Sequence, residues 1–71
     1  MSLCKCLKEN IYIVDKSPDI YLLKVLGIRK GISFKVQSIH PFGGPIVIKV
    51  GNRSIAISKD VASEILVREA S

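Results

Sequence analysis

The apolar residues of this chain fall in short runs, and a glycine, a proline or a charged residue soon interrupts each of them. The longest apolar runs, residues 11–14 and 20–23, are four residues long. A membrane-spanning helix needs about 20 apolar residues in succession, so none is predicted. Short runs rich in β-branched residues and bounded by turn formers are typical of β-strands. The pattern therefore predicts a mainly β protein.

Five segments have the composition and the alternation of strands. The clearest is the second, in which Ile32, Phe34 and Val36 alternate with polar residues and predict one buried and one solvated face. Gly51 and Asn52 between the third and fourth segments are typical of a two-residue hairpin. The predicted strands are residues 11–14, 32–38, 46–50, 54–57 and 64–68.

One helix is predicted between the first two strands. Ser17 has the residue type of an N-cap, and Pro18 is favoured at the first helical position. Gly27 is expected to end the helix in a left-handed conformation, and Ile28 stands where a Schellman motif places its hydrophobic contact. These signals predict a helix over residues 18–26.

A single helical turn is predicted before the last strand, because Ser58 can cap a turn that runs to Ser63. The chain is short enough to form one domain, residues 1–71. Five strands in so few residues suit a small barrel, since closure hides sheet edges that the chain cannot otherwise cover. We therefore expect an SH3-like barrel, with the helix over residues 18–26 plugging or flanking one end.

The charge of the chain is concentrated in its first half. Eleven basic and six acidic residues give a formal net charge of +5. Residues 1–35 hold seven basic and three acidic residues, or +4, and residues 36–71 hold four and three, or +1. The excess lies around the end of the predicted helix and the second strand. This region is a candidate docking surface for an acidic protein or a phosphate, and an ordinary solvated face is the alternative.

Phe42 lies between prolines and glycines in the loop before the third predicted strand. An exposed aromatic residue in such a loop could contact a partner. We expect instead that it folds back as a lid over one end of the barrel, because a domain this small needs most of its apolar side chains to form a stable core.

Cys4 and Cys6 are the candidate metal ligands. On a strand the two side chains would face the same way, so both thiolates could meet one soft metal ion. A closed zinc site takes four ligands, and His40 is the single histidine. Two reduced thiols and a turn histidine are the simpler interpretation, and weak transition-metal binding by these three residues stays open. No cofactor is expected to be required.

The chain lacks the residue sets of an enzyme. Its one histidine, three aspartates and three glutamates form no recognisable acid–base pair. A cysteine nucleophile would have to pair Cys4 or Cys6 with His40, without a visible orienting group. Gly43 and Gly44 lack the continuation of a phosphate-binding loop. A non-catalytic protein is therefore expected, and the sparse cysteines favour the reducing cytoplasm.

Two segments carry a resemblance to a known family. Residues 23–31, LKVLGIRKG, resemble the signature L-x-x-L-G-I-x-x-G of the ferrous iron transport protein A (FeoA) family. Residues 43–50, GGPIVIKV, are similar to its segment G-G-P-x-x-[IV]-x-[VI]. Residues 55–58, Ala62 and residues 65–67 fit its closing stretch. Ile20 and Tyr21 stand where many members carry two arginines.

The resemblance implies an SH3-like barrel that acts in bacterial ferrous iron uptake. Family members are small cytoplasmic proteins that act on the partner permease FeoB, which carries a G-protein domain. Because the apolar runs of this chain are short, no membrane insertion is expected of it. The same fold also occurs as the C-terminal domain of iron-dependent repressors. We therefore expect this chain to bind the cytosolic part of a FeoB-type permease and to modulate transport. The candidate contact residues are Tyr21, Lys24, Arg29 and Lys30, with Phe42 as a second candidate.

Two alternatives remain from the residues alone. One is a small metal-binding or metal-sensing module at Cys4, Cys6 and His40. The other is a basic barrel that binds nucleic acid, which is less favoured because such binding also needs exposed stacking aromatic residues, and the chain has two tyrosines and two phenylalanines. The sequence does not define the oligomeric state.

Overall fold

Five antiparallel strands form the framework of the computed structural model, which describes residues 1–70. They form one sheet with the strand order β4-β3-β2-β1-β5. The mainly β class is confirmed, and each strand begins and ends within two residues of its predicted bounds. The strands are β1 (Ile11–Lys16), β2 (Ser33–Ser38), β3 (Ile46–Val50), β4 (Arg53–Ile57) and β5 (Leu66–Glu69).

Two short α-helices and one turn of 3-10 helix complete the fold. Helix α1 (Tyr21–Val25) connects β1 to β2, α2 (Lys59–Ala62) lies between β4 and β5, and the 3-10 turn (Leu3–Lys5) precedes β1. The predicted cap of α2 is confirmed, because Ser58 Oγ accepts a hydrogen bond from the backbone N–H of Val61 at 3.4 Å. Within residues 1–70, no helix is long and apolar enough to cross a membrane.

The core is built from every second residue of the strands, because successive side chains of a strand point to opposite faces. In β2, Phe34 and Val36 are buried while Lys35 between them is exposed, as the sequence alternation predicts. The ring of Phe34 stacks on that of Tyr12 in β1, with centroids 6.0 Å apart. Burial of each large aliphatic side chain stabilises the fold by roughly 1.5–3 kcal/mol. The buried residues are Leu3, Cys6, Tyr12, Val14, Leu23, Ile28, Phe34, Val36, Ile46, Ile48, Ile55, Ile57, Ala62, Ile65 and Val67.

The two outer strands of the sheet differ in what covers their free edges. The edge of β5 pairs with the first residues of the chain, since Val67 N donates to Met1 O at 2.6 Å and Leu3 N donates to Ile65 O at 2.9 Å. Among residues 1–70, β4 has β3 as its one ladder partner. The expectation that closure hides the sheet edges is therefore wrong for β4.

Helix α1 begins later than predicted. Its N-cap is Ile20, which is extended and makes no side-chain capping bond. Ser17 lies three residues before this N-cap and accepts no capping bond from the helix; its hydroxyl donates to Pro18 O at 3.4 Å. The start predicted at Pro18 is therefore wrong. Ile20 packs against the core, so a tertiary contact outweighs the local capping signal at Ser17 and Pro18.

The C-terminus of α1 has the predicted Schellman motif. Ile28 N donates to Leu23 O at 2.8 Å, and Gly27 N donates to Lys24 O at 3.1 Å. These two bonds define the motif. Gly27 has φ of +85°, in the left-handed region that favours glycine. Leu23 and Ile28 are both buried, as the hydrophobic contact of the motif requires.

The 3-10 turn places the two thiols in different environments. Cys4 lies in the turn and is exposed, whereas Cys6 follows it and is buried. The idea that a strand holds both side chains on one face is therefore wrong. Burial raises the pKa of the Cys6 thiol to about 11, because an apolar environment disfavours the charged thiolate.

We expect Gly27→Ala to lower the free energy of unfolding by about 1–2 kcal/mol, the cost of an L-residue in the left-handed conformation. A Cβ there would also lie 3.3 Å from Nη2 of Arg53, which donates to Leu26 O at 3.0 Å. Gly27→Asn is the matched variant and should lose less, because asparagine tolerates this conformation better. Urea denaturation gives the free energy of unfolding of the wild type and of both variants. An alanine variant as stable as the wild type would contradict the need for glycine at this position.

We expect one fast and one slow thiol in the folded protein. Cys4 should react with Ellman's reagent about as fast as a free cysteine, whereas Cys6 should react only as the fold opens, because the thiolate is the reactive species. Cys4→Ser should remove the fast phase and leave the slow one. Two fast phases in the wild-type protein would contradict the burial of Cys6.

Candidate functional site

Three of the five predicted contact residues, Lys24, Arg29 and Lys30, line one cleft. The cleft has a volume of about 480 Å³ and lies between residues 15–19 and the turn that follows α1. Lys16, at the end of β1, adds a fourth basic side chain to its lining. The fold thus gathers cations from separate parts of the chain, an arrangement that attracts an acidic surface.

The free charge of this cleft comes mainly from the turn after α1. Lys24 makes an ion pair with Asp19. The hydrogen bond from Lys24, together with its charge, lowers the pKa of the Asp19 carboxyl. Arg29 and Lys30 are exposed, and within residues 1–70 neither makes an ion pair. An incoming acidic group would therefore meet these two cations without displacing a partner.

The basic stretch that the sequence shows between residues 24 and 35 is not one continuous surface. Lys35 lies on the exposed face of β2, where its Nζ is 3.0 Å from Oε2 of Glu9. The hydrogen bond from Lys35 lowers the pKa of the Glu9 carboxyl. Lys35 does not line the cleft. The basic surface is therefore smaller than the sequence indicates.

Helix α1 turns three apolar side chains toward solvent. The exposed fractions of Tyr21, Leu22 and Val25 are 81%, 61% and 56%. Residues at this spacing share one side of a helix, and Leu23 is buried on the other. Contiguous exposed apolar side chains on a small domain mark an interaction surface. We call these three residues the apolar face of α1.

A small apolar groove lies between α1 and the end of β4. Its volume is about 230 Å³. Leu22 and Leu26 line it from the helix, Ala56 and Ile57 from the strand, and Val61 from α2. The groove continues the apolar face of α1, because Leu22 belongs to both.

Phe42 is 99% exposed in the loop between β2 and β3. The predicted lid over one end of the barrel is therefore wrong. The loop depends on its two glycines: Gly43 has φ of +101°, and a Cβ on Gly44 would lie 2.8 Å from the His40 side chain. Gly43 also shares a hollow with Ser58, which lines the groove beside α1. The loop thus reaches the same end of β4 as α1.

The candidate metal ligands lie in different surroundings. The thiol of Cys4 donates to Lys59 O at 3.5 Å, Cys6 is buried, and His40 is exposed in the loop before β3. In the part of the chain that the structure describes, no group of three histidine, cysteine, aspartate or glutamate side chains could hold a metal ion. Metal binding by Cys4, Cys6 and His40 stays a prediction.

Sequence reasoning missed Lys16, Leu22 and Val25 as parts of this surface. The spacing of Leu22 and Val25 on the side of α1 away from Leu23 was a signal that could have been used. Lys16 carried none, because the cleft forms only when the end of β1 folds beside the turn after α1.

Solved structures of FeoA proteins share this fold. The crystal structure of an iron uptake regulatory protein, FeoA, has a TM-score of 0.85 at 29% identity, over 97% of this chain and 96% of that one. FeoA of Stenotrophomonas maltophilia, described as a prokaryotic SH3 domain protein complexed with zinc, has a TM-score of 0.80 at 22% identity, over 96% and 89%. These similarities confirm the SH3-like fold.

The fold also occurs within a longer protein. IdeR of T. acidophilum matches with a TM-score of 0.83 at 21% identity, over 97% of this chain and 33% of that one. No curated protein sequence matches significantly. The model of the FeoA domain, however, matches residues 3–69, nearly the whole chain. The chain therefore belongs to the FeoA domain family.

Proposed function

We propose that this protein is a non-catalytic accessory protein of bacterial ferrous iron uptake. It binds the cytosolic part of a FeoB-type permease and modulates transport. The observation that carries the proposal is the surface of α1 and the following turn. Helix α1 exposes Tyr21, Leu22 and Val25, and the turn exposes Arg29 and Lys30, which make no ion pair within residues 1–70. Membership of the FeoA domain family and the relative described as an iron uptake regulatory protein supply the link to iron.

Charge and apolar area make different contributions at such a surface. Arg29 and Lys30 attract an acidic partner and speed its encounter. Tyr21 and Val25 then lose exposed apolar area on contact, and an aromatic side chain buried near the centre of an interface often carries much of the affinity. Phe42 supplies a second exposed aromatic residue near the same end of β4.

The distribution of reactive groups supports a binding role rather than catalysis. Cys6 is buried with a raised pKa, which disfavours the nucleophilic thiolate. Glu9 and Asp19 are exposed in ion pairs that lower the pKa of each, so neither suits a general acid near neutral pH. The cytoplasm suits this protein, because reduced thiols persist there.

Reversing the free charge of the cleft should weaken the complex. We expect Arg29→Glu/Lys30→Glu to reduce affinity for the cytosolic domain of the permease about tenfold or more, because attraction becomes repulsion. Lys5→Glu/Lys8→Glu changes the net charge equally in exposed residues outside the cleft and is the matched control. Calorimetric titration at low salt compares them, and equal affinities of the two double variants would locate the contact elsewhere.

Removing either exposed aromatic side chain should affect binding but not folding. We expect Tyr21→Ala and Phe42→Ala each to weaken the complex about fivefold or more, as truncation of an interface aromatic residue commonly does. Both side chains are exposed, so the free energy of unfolding should stay within about 0.5 kcal/mol of the wild type. Titration with the permease domain and urea denaturation measure the two effects. Wild-type affinity of a variant would remove that residue from the proposed contact.

A further inference from the structure

The outer edge of β4 carries backbone groups that have no hydrogen-bond partner among residues 1–70. A two-residue hairpin joins β3 to β4 and makes Val50 and Arg53 its first hydrogen-bonded pair. Because bonded and non-bonded pairs alternate along an antiparallel ladder, the backbone N–H and C=O groups of Ser54 and Ala56 point away from β3. Within residues 1–70, none of these four groups makes a hydrogen bond outside the ladder.

The apolar groove runs beside this open edge. Ala56 lines the groove opposite Leu22 and Leu26. Leu22 and Val25 are exposed and extend the apolar surface onto α1. An open strand edge beside an apolar groove has both features of strand addition, in which main-chain hydrogen bonds give affinity and pockets for alternate side chains give specificity.

We propose that the cytosolic part of the permease contributes an extended segment that pairs with β4 as an added strand of the sheet. The inference rests on the proposed function and defines its contact. The segment exchanges main-chain hydrogen bonds with Ser54 and Ala56. The side chain of the segment that lies beside Ala56 packs against Leu22 in the groove. A match to the five residues of β4 needs a segment about 17 Å long.

Charge identifies the segment as acidic and argues against a second copy of this chain. Each copy carries a formal charge of +5, so pairing two β4 edges would bring like charges together. The guanidinium of Arg53 donates to the carbonyl of Leu26, which lines the groove. Lys59 follows Ser58, which lines the groove. An extended segment with alternate apolar residues and acidic ends complements this surface.

Amide hydrogen exchange tests the pairing directly. The amides of Ser54 and Ala56 should exchange rapidly in the free protein and become protected when the cytosolic domain of the host's permease is added. The amide of Ile55, which faces β3, should be slow in both states and serves as the internal reference. Protection of Ser54 and Ala56 in the complex is the expected result.

Two pairs of variants test the affinity. Ala56→Pro removes an outward N–H and no hydrogen bond of the ladder with β3, and proline is tolerated at an edge strand. It should weaken binding about fivefold or more, whereas Ala56→Ser, which keeps the N–H, should bind like the wild type. Leu22→Ser should also weaken binding. Its control is Leu7→Ser, which is equally exposed, 64% against 61%, and lies outside the groove.

The outcomes separate this inference from the proposed function. If the permease domain binds but Ser54 and Ala56 remain unprotected, and Ala56→Pro and Leu22→Ser bind like their controls, strand addition is wrong and the proposed function stands. If the wild-type protein does not bind the domain at all, both are wrong. Protection that appears in the protein alone, together with a dimer in sedimentation, would identify a second copy as the occupant and overturn the acidic partner segment.

Discussion

Packing of alternate strand residues in one apolar core holds this domain together. The core does not cover every apolar side chain or every strand edge, and those left exposed form the candidate surface. Ile46, Ile48, Ile55 and Ile57 fill the inward positions of β3 and β4. Helix α1 adds Leu23 as its one fully buried residue. Within residues 1–70, no strand covers the outer edge of β4. The open edge of β4 and the apolar face of α1 are exposed because the domain has few elements with which to cover its core.

A helix that buries so little needs other contacts to hold its orientation. The Schellman motif at Gly27 satisfies the last carbonyls of α1 and turns the chain back into the core at Ile28. The guanidinium of Arg53 joins the Leu26 carbonyl to the start of β4. This bond ties the end of α1 to β4, so the position of α1 relative to the β4 edge is fixed by contacts that require the side chains of neither Tyr21 nor Val25. The exposed face is thus free to differ without loss of the fold.

The sequence predicted those features whose signals are local. The alternation of Phe34 and Val36, the hairpin after β3 and the glycine that ends α1 are all confirmed, because each depends on the conformation of a few neighbouring residues. The predicted start of α1 was wrong because the packing of Ile20 outweighs the local capping signal at Ser17 and Pro18. The expectation that Phe42 folds back as a lid was wrong, because its loop, whose conformation depends on Gly43 and Gly44, leaves the side chain exposed. The groove beside α1 joins parts of the chain that sequence order does not bring together.

The two parts of the candidate surface suit different stages of binding. The cations at Arg29 and Lys30 act over about 8–10 Å at physiological salt, so they attract an acidic surface from any orientation but do not define its alignment. The open backbone of Ser54 and Ala56 acts only within hydrogen-bond distance, where a shift of one residue reverses which side chains enter the groove. Long-range attraction and short-range register are therefore supplied by separate elements. A change in the cations would therefore alter the rate of encounter, whereas a change at the β4 edge would alter the lifetime of the complex.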